Sequence, residues 1–185
     1  CRPSDTFVFY EIDARIEEIA RTHFSYLPRC KNGEVRIGDG RILLQQEKDA
    51  GAPGIYDLLA VDAFTDDAIP AHLLTLQAVD LYRQHLKGPQ SIIAIHVSNR
   101  FLSLSPVVLR ITQELRMNSM IVIDSGDTGS FGSGSQWVLL AQDPAVIDAS
   151  QLADVTPWTR PAVLPDLWTD NYTSLFSVLN VSFNW

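Results

Sequence analysis

Short apolar runs of β-strand length alternate along this sequence with segments whose apolar residues recur at helical spacing. The run Leu58–Val61 is continuous and bounded by turn residues, a pattern typical of a strand that is buried on both faces of a parallel sheet. Strands separated by helices predict an α/β fold with a mostly parallel sheet, in which ligands bind at the carboxyl ends of the strands. Because 185 residues is about the length of one domain, we predict a single domain over residues 1–185.

The predicted elements alternate through most of the chain. Strands are predicted at residues 6–10, 35–37, 55–62, 91–97, 119–123 and 136–141. Helices are predicted at residues 13–24, 41–48, 73–86, 106–115 and 144–152. The loop between the last two strands is too short to contain a crossover helix, so we expect these strands to form an antiparallel hairpin.

Charge and cysteine content limit the partners that the chain can have. It carries 22 acidic and 14 basic residues, a net charge of −8, which disfavours nucleic acid and anionic membrane surfaces. A small cationic ligand fits this charge, and so does a plain solvated acidic surface. Cys1 and Cys30 have neither metal-ligand spacing nor the density of a secreted scaffold, which favours a reducing, cytoplasmic compartment. Since no apolar run approaches about 18–20 residues, this chain is not expected to insert into a membrane.

Candidate ligand-binding residues follow the first two predicted strands. In nucleotide-binding α/β folds an acidic residue such as Glu11 or Asp13 can accept hydrogen bonds from ribose hydroxyls at this position. The alternative is a helix N-cap, a role that suits Asp13 in any case. After the second strand, Gly38 and Gly40 allow close approach of the backbone to a flat ligand, and Asp39 between them can accept from an amino group. A plain turn is the alternative.

Three carboxylates, Asp62, Asp66 and Asp67, leave the most apolar predicted strand within six residues. Such a cluster is costly unless a cation lies among the charges. An amine substrate fits this requirement, and one of the carboxylates can accept its proton. The alternatives are a solvated loop in which Asp66 or Asp67 caps a helix, or a metal site, for which no His or Cys is suitably spaced.

Three other features are weaker candidates. His72 lies beside the acidic loop and is a candidate for ligand contact. His96 lies in a predicted buried strand, where a histidine is more often part of the core than a catalyst. The Gly/Ser-rich residues 129–135 look like a phosphate-binding loop, but they precede a strand and contain no Lys, so we interpret them as a flexible hairpin.

Five segments occur in an order that resembles one protein family. They are FYEID at residues 9–13, GDGR at 38–41, YDLLAVDAF at 56–64, IPAHLLT at 69–75 and HVSNR at 96–100. Together they resemble the spermidine synthase (polyamine aminopropyltransferase) family, within the wider class of S-adenosylmethionine-dependent methyltransferase-like folds. The similarity runs from about residue 7 to residue 115 and weakly through WTDNY at 168–172. It implies a Rossmann-like sheet that ends in an antiparallel hairpin.

The resemblance implies transfer of an aminopropyl group from decarboxylated S-adenosylmethionine to a diamine such as putrescine, with no metal. Glu11 is implied to hold the ribose and Asp39 the adenine amino group. The implied cofactor-binding residues are Glu11, Asp13, Asp39 and Gly40. The implied catalytic carboxylates are Asp62 and Asp67, and the implied contacts to the amine substrate are Asp66 and His72.

Two parts of the family pattern have no counterpart in this sequence, the amino-terminal hairpin region and the glycine-rich loop after the first strand. The sequence begins where the second strand of the family would stand, so we expect a fragment of a longer protein or a domain that fills the place of the first strand differently. Such a fragment alone is inactive if it does not bind the cofactor. Unpaired strand edges recruit partners, so we expect this chain to associate, for example as a homo-oligomer, or to pair the two flanking strands directly.

Two other functions stay open at this point. One is an S-adenosylmethionine-dependent methyltransferase-like enzyme that uses the intact cofactor, although a methyltransferase needs no acidic cluster. The other is a non-catalytic regulatory domain attached to a membrane transporter, because the resemblance is strongest to the branch of the family that is often fused to transporter segments. In that case the chain is the soluble domain of a membrane-anchored protein.

Overall fold

The computed structural model of the chain describes residues 2–52, 54–63, 70–124, 134–147, 161 and 163–180. The chain divides into two compact units, unit 1 (Cys1–Ala52) and unit 2 (Pro53–Trp185). Within the residues described, no helix has the length and apolar character to cross a membrane.

Unit 1 contains a two-stranded parallel sheet and three helices. The strands are β1 (Phe7–Glu11) and β2 (Gly33–Ile37), and the helices are α1 (Ala14–His23), α2 (Tyr26–Arg29) and α3 (Gly40–Asp49). Glu11 pairs with Ile37, so the two strands end at the same edge of the sheet. Asp13 and Asp39 each accept a hydrogen bond from a backbone N–H in the first turn of the helix that follows, α1 and α3 respectively. The N-cap predicted for Asp13 is therefore confirmed.

Unit 2 is built on a four-stranded sheet in the order β3-β4-β6-β5. The strands are β3 (Leu58–Val61), β4 (Ile92–His96), β5 (Asn118–Asp124) and β6 (Ser135–Ala141), and the helices are α4 (Leu76–Gln84) and α5 (Ser105–Glu114). Single 3₁₀ turns are found at Ala71–Leu74, Pro144–Ile147 and Phe176–Val178. Strand β3 is parallel to β4, and β6 is antiparallel to both β4 and β5, so three of the four strands run in one direction. The mostly parallel α/β fold and the antiparallel last pair are confirmed.

The core of unit 2 follows from the two-residue period of its central strands. Ile93 and Ile95 on β4, and Val138 and Leu140 on β6, are fully buried, because alternate side chains of a strand point to the same face. Helix α5 packs on β5 and β6, and its apolar side chains are buried with them. Parallel β3 and β4 end beside one another above this buried core.

A short segment near the carboxyl end of unit 2 is bonded to the beginning of α4. The backbone N–H of Leu76 donates to the carbonyl of Trp168 at 2.9 Å, and Thr75 Oγ1 donates to Asp170 at 2.7 Å. The backbone N–H of Asp170 in turn donates to Gln77 Oε1 at 3.1 Å. Trp168 is fully buried. Residues 168–170, which we call the closing segment, thus complete the packing around the first turn of α4.

Several details of the sequence prediction are wrong. Leu59 of β3 is buried while its neighbour Leu58, on the opposite face of the strand, is 59% exposed, so the strand is not buried on both faces. The helix predicted at residues 73–86 is divided at Thr75, whose extended backbone separates a 3₁₀ turn from α4. The short helix α2 was not predicted, because its four residues include Pro28 and are too few to reveal a helical period.

Two further expectations differ from the structure. Cys30 is buried and disulfide-bonded, whereas its sequence context favours a reduced thiol. Strands β1 and β3, expected on either side of a missing strand, belong to separate sheets of the described chain, so the direct pairing considered above is not found.

Of the helix predicted at residues 144–152, only the 3₁₀ turn Pro144–Ile147 falls within the described residues. Most of the Gly/Ser-rich loop also lies outside them.

Candidate functional site

The carboxyl end of the sheet in unit 1 brings Glu11 close to the turn that precedes α3. The N–H of Gly38 donates to the carbonyl of Glu11 at 2.8 Å. Gly38 has a φ of +147°, and a Cβ atom there would lie 3.1 Å from a leucine side chain, so the turn requires glycine. A Cβ atom at Gly40 would lie 3.3 Å from Cβ of Tyr10, so α3 begins close to β1. The turn therefore places Asp39 at the same edge of the sheet as Glu11.

The carboxylates at this edge also stabilise local turns. Glu11 Oε1 accepts from the N–H of Asp13 at 3.0 Å, and Asp39 Oδ1 accepts from the N–H of Ile42 at 3.0 Å. The hydrogen bond from the Arg15 guanidinium lowers the pKa of Asp13 to about 2, and both oxygens of Asp13 contact Arg15. Since a carboxylate has about four acceptor positions, ligand binding is compatible with these contacts at Glu11 and Asp39, whereas Asp13 is engaged as a helix cap.

In unit 2 the ends of β3 and β4 place Asp62 next to His96. The Nδ1 atom of His96 lies 2.7 Å from Asp62 Oδ1, within hydrogen-bond distance. The Asp62 side chain is 57% exposed and the His96 side chain is 21% exposed. A carboxylate that solvent and ligands can reach is therefore held by a half-buried imidazole.

The His96 ring has contacts on a second edge and on one face. Its Nε2 atom lies 2.7 Å from Ser98 Oγ, and Ser98 Oγ accepts from the N–H of Gln136 at 2.6 Å. The indole of Trp137 stacks on the imidazole, with ring centroids 4.8 Å apart and 24° between the planes. These contacts give both ring nitrogens and one face of the imidazole a partner, so they oppose rotation of the ring.

The proximity of His96 to Asp62 could have been inferred from strand register. In the parallel pairing Val61 is opposite Ile95, so the next residues of the two strands, Asp62 and His96, are neighbours. The sequence contains both residues but not the register of the two strands. Only the apolar runs that precede each residue, which have the same length, gave a signal of this pairing.

A small apolar recess lies beside the Asp62–His96 pair. It is lined by Val61, Ala63, Pro70, Leu73, Leu74 and His96. His72 is in the neighbouring turn and its side chain is exposed, whereas Leu74 of the same turn is buried. The recess thus offers apolar surface next to a carboxylate.

The other predicted carboxylates of this loop, Asp66 and Asp67, lie outside the described residues. Among the residues that are described, no three His, Cys, Asp or Glu side chains come together as a group that could hold a metal ion. Asp62 is therefore the one predicted amine-binding carboxylate whose surroundings the structure gives.

The strand order of unit 2, its antiparallel last pair and the carboxylates at strand ends define a Rossmann-like α/β protein. No protein-family model matches the chain. Over 93 residues, half of the chain, it is 32% identical to the polyamine aminopropyltransferase of Vibrio vulnificus (strain CMCP6), and the match covers 30% of that protein. The chain also matches the crystal structure of a probable spermidine synthase from Corynebacterium glutamicum ATCC 13032 with a TM-score of 0.58 and 16% identity, over 74% of this chain and 47% of that one.

These comparisons confirm that the chain is related to the spermidine synthase family, as its motifs predict. The sequence similarity extends over half of the chain. The structural match, at 16% identity, shows that the fold is similar. The chain spans less than half the length of either relative.

Proposed function

We propose that this chain takes part in aminopropyl transfer from decarboxylated S-adenosylmethionine to a small diamine such as putrescine. The observation that carries the proposal is the exposed Asp62 carboxylate, held by His96 at the carboxyl ends of two parallel strands. Ligands of α/β sheets bind at such strand ends. An amine substrate is cationic at neutral pH, and Asp62 supplies the opposite charge.

The chemistry assigns Asp62 two tasks. The negative charge of Asp62 first attracts the ammonium group, and Asp62 then accepts one of its protons as a general base. The neutral amine nitrogen forms a bond to the carbon next to the sulfonium as the carbon–sulfur bond breaks. The electrons of the broken bond stay on sulfur, so that a neutral thioether leaves.

Unit 1 provides the groups that suit the nucleoside part of the cofactor. Ribose hydroxyls and the adenine amino group are hydrogen-bond donors, and Glu11 and Asp39 are acceptors at one edge of the sheet. The glycine turn at Gly38 allows a ligand to approach the backbone closely. We assign the ribose to Glu11 and the adenine amino group to Asp39.

We expect the protein to bind decarboxylated S-adenosylmethionine more tightly than the intact form. The intact cofactor carries one more carboxylate, which the acidic residues of the site repel. Calorimetric titration with each form, using the protein at the full length that its gene encodes, measures the difference. Tighter binding of the intact form would instead favour the methyltransferase-like function, and binding of neither form would favour the non-catalytic one.

We expect Glu11→Gln to weaken cofactor binding about 10- to 100-fold, the equivalent of losing a hydrogen bond to a charged group. The rate of the chemical step at saturating cofactor should change much less. The matched control is Glu18→Gln, at an exposed position of α1, which should leave the affinity unchanged. If Glu11→Gln binds the cofactor as the unmodified protein does, Glu11 serves only the turn to Asp13.

A further inference from the structure

We infer that His96 is a positioning residue for Asp62 and that Ser98 helps to hold the imidazole in the tautomer which donates to the carboxylate. The inference rests on the proposed function, because it concerns how Asp62 is prepared to receive the proton of an amine. Three contacts of the described chain lead to it: Gln136 to Ser98, Ser98 to His96, and His96 to Asp62.

The direction of the hydrogen bonds follows from Asp62 at one end and from the backbone at Gln136 at the other. An ionised carboxylate can only accept, so Nδ1 of His96 donates to Asp62 Oδ1. A backbone N–H can only donate, so Ser98 Oγ is the acceptor in the 2.6 Å contact with Gln136. A serine hydroxyl has one hydrogen to donate, and the Nε2 atom of His96 lies 2.7 Å away. When the imidazole is neutral, its one ring hydrogen is therefore on Nδ1, and Nε2 carries none and accepts from Ser98.

The backbone around His96 keeps this arrangement in place. His96 is paired with Trp137 in the antiparallel ladder between β4 and β6, and the indole stacks on the imidazole. The stacking and the two edge contacts oppose rotation of the ring. Because β6 supplies both Trp137 and the N–H of Gln136, one strand orients the ring and also holds Ser98, the partner of its Nε2 atom.

The consequence for Asp62 is an asymmetry between its two oxygens. The hydrogen bond from His96 engages Oδ1, so the proton of the amine is received at Oδ2. The carboxylate is also held in one orientation although its side chain is largely exposed. Loss of such orientation by about 1 Å can lower a reaction rate by about 100-fold.

The first test is nitrogen-15 NMR of the histidine side chains, which needs no enzyme activity. At a pH at which the spectrum shows the imidazole of His96 to be neutral, we expect its ring hydrogen on Nδ1, and in Ser98→Ala a larger fraction of the other tautomer. His96→Asn identifies the resonance by its disappearance. A neutral His96 with its hydrogen on Nε2, or a Ser98→Ala protein with an unchanged tautomer, would overturn the inference.

The second test compares turnover of two substitutions at the same position. We expect His96→Ala to lower kcat about 10- to 100-fold, with cofactor affinity unchanged. His96→Asn keeps an N–H near the position of Nδ1 and should restore most of the rate. If His96 served only to stabilise the fold, Asn would not restore the rate in preference to Ala. If the unmodified protein shows no aminopropyl transfer, the proposed function fails; if it is active and His96→Ala is equally active, the positioning role fails.

Discussion

Asp62→Asn is expected to lower the turnover of aminopropyl transfer by about 10²- to 10⁴-fold, the range in which a general base contributes. The amide keeps the size of the side chain, and its carbonyl oxygen can still accept from His96, but it cannot take up a proton. Cofactor affinity should stay unchanged. The measurement is steady-state turnover with decarboxylated S-adenosylmethionine and putrescine, using the protein at the full length that its gene encodes.

The matched control is Asp57→Asn, just before β3 at the opposite end of the strand. The Asp57 side chain is 80% exposed and lies 3.4 Å from Lys87, a surface pair of little energetic weight, so turnover should be unaffected. Asp67→Asn belongs in the same series, because the sequence assigns Asp67 the same role as Asp62. Full turnover of Asp62→Asn together with a large loss in Asp67→Asn would identify Asp67 as the base.

Trp168→Ala is expected to reduce the free energy of unfolding by about 3–5 kcal/mol, the usual cost of removing a large aromatic side chain from a core. Trp168 is the largest of the fully buried side chains among the described residues. The surrounding side chains cannot fill so large a cavity, so packing and apolar burial are both lost. Urea unfolding followed by far-ultraviolet circular dichroism measures the change.

The control for this substitution is Phe176→Ala, another aromatic residue of unit 2. Phe176 is 88% exposed, so its removal should change the free energy of unfolding by no more than about 0.5 kcal/mol. A destabilisation by Trp168→Ala as small as that of the control would mean that the closing segment is not part of the folding core.

Local chemistry explains which parts of this fold the sequence could predict. Continuous apolar runs gave strands such as β4, and Asp13 was recognised as a helix cap because capping depends only on neighbouring residues. The exposure of Leu58 was missed because it depends on which face of β3 the rest of the chain covers, and the run of apolar residues does not encode this.

The candidate site shows the same division between local and long-range information. The acidic residue after each of two strands, Glu11 and Asp62, was visible from sequence, since each follows an apolar run. The contact of Asp62 with His96 spans 34 positions and requires the parallel register. The contact of Ser98 with Gln136 spans 38 positions and requires the antiparallel one. Neither register can be read from a single sequence.

The closing segment determines when unit 2 can complete its fold during synthesis. Thr75 and Asp170 are separated by 95 positions, so the first turn of α4 gains these hydrogen bonds only after residue 170 has left the ribosome. The central strands emerge earlier, before Trp168 is available to pack in the core. Contacts between residues so far apart in the sequence slow folding. Unit 1 ends at Ala52, and its parallel pair lies within its first 37 residues. In the nascent chain, the strands of unit 1 are therefore available for pairing before unit 2 can complete its fold.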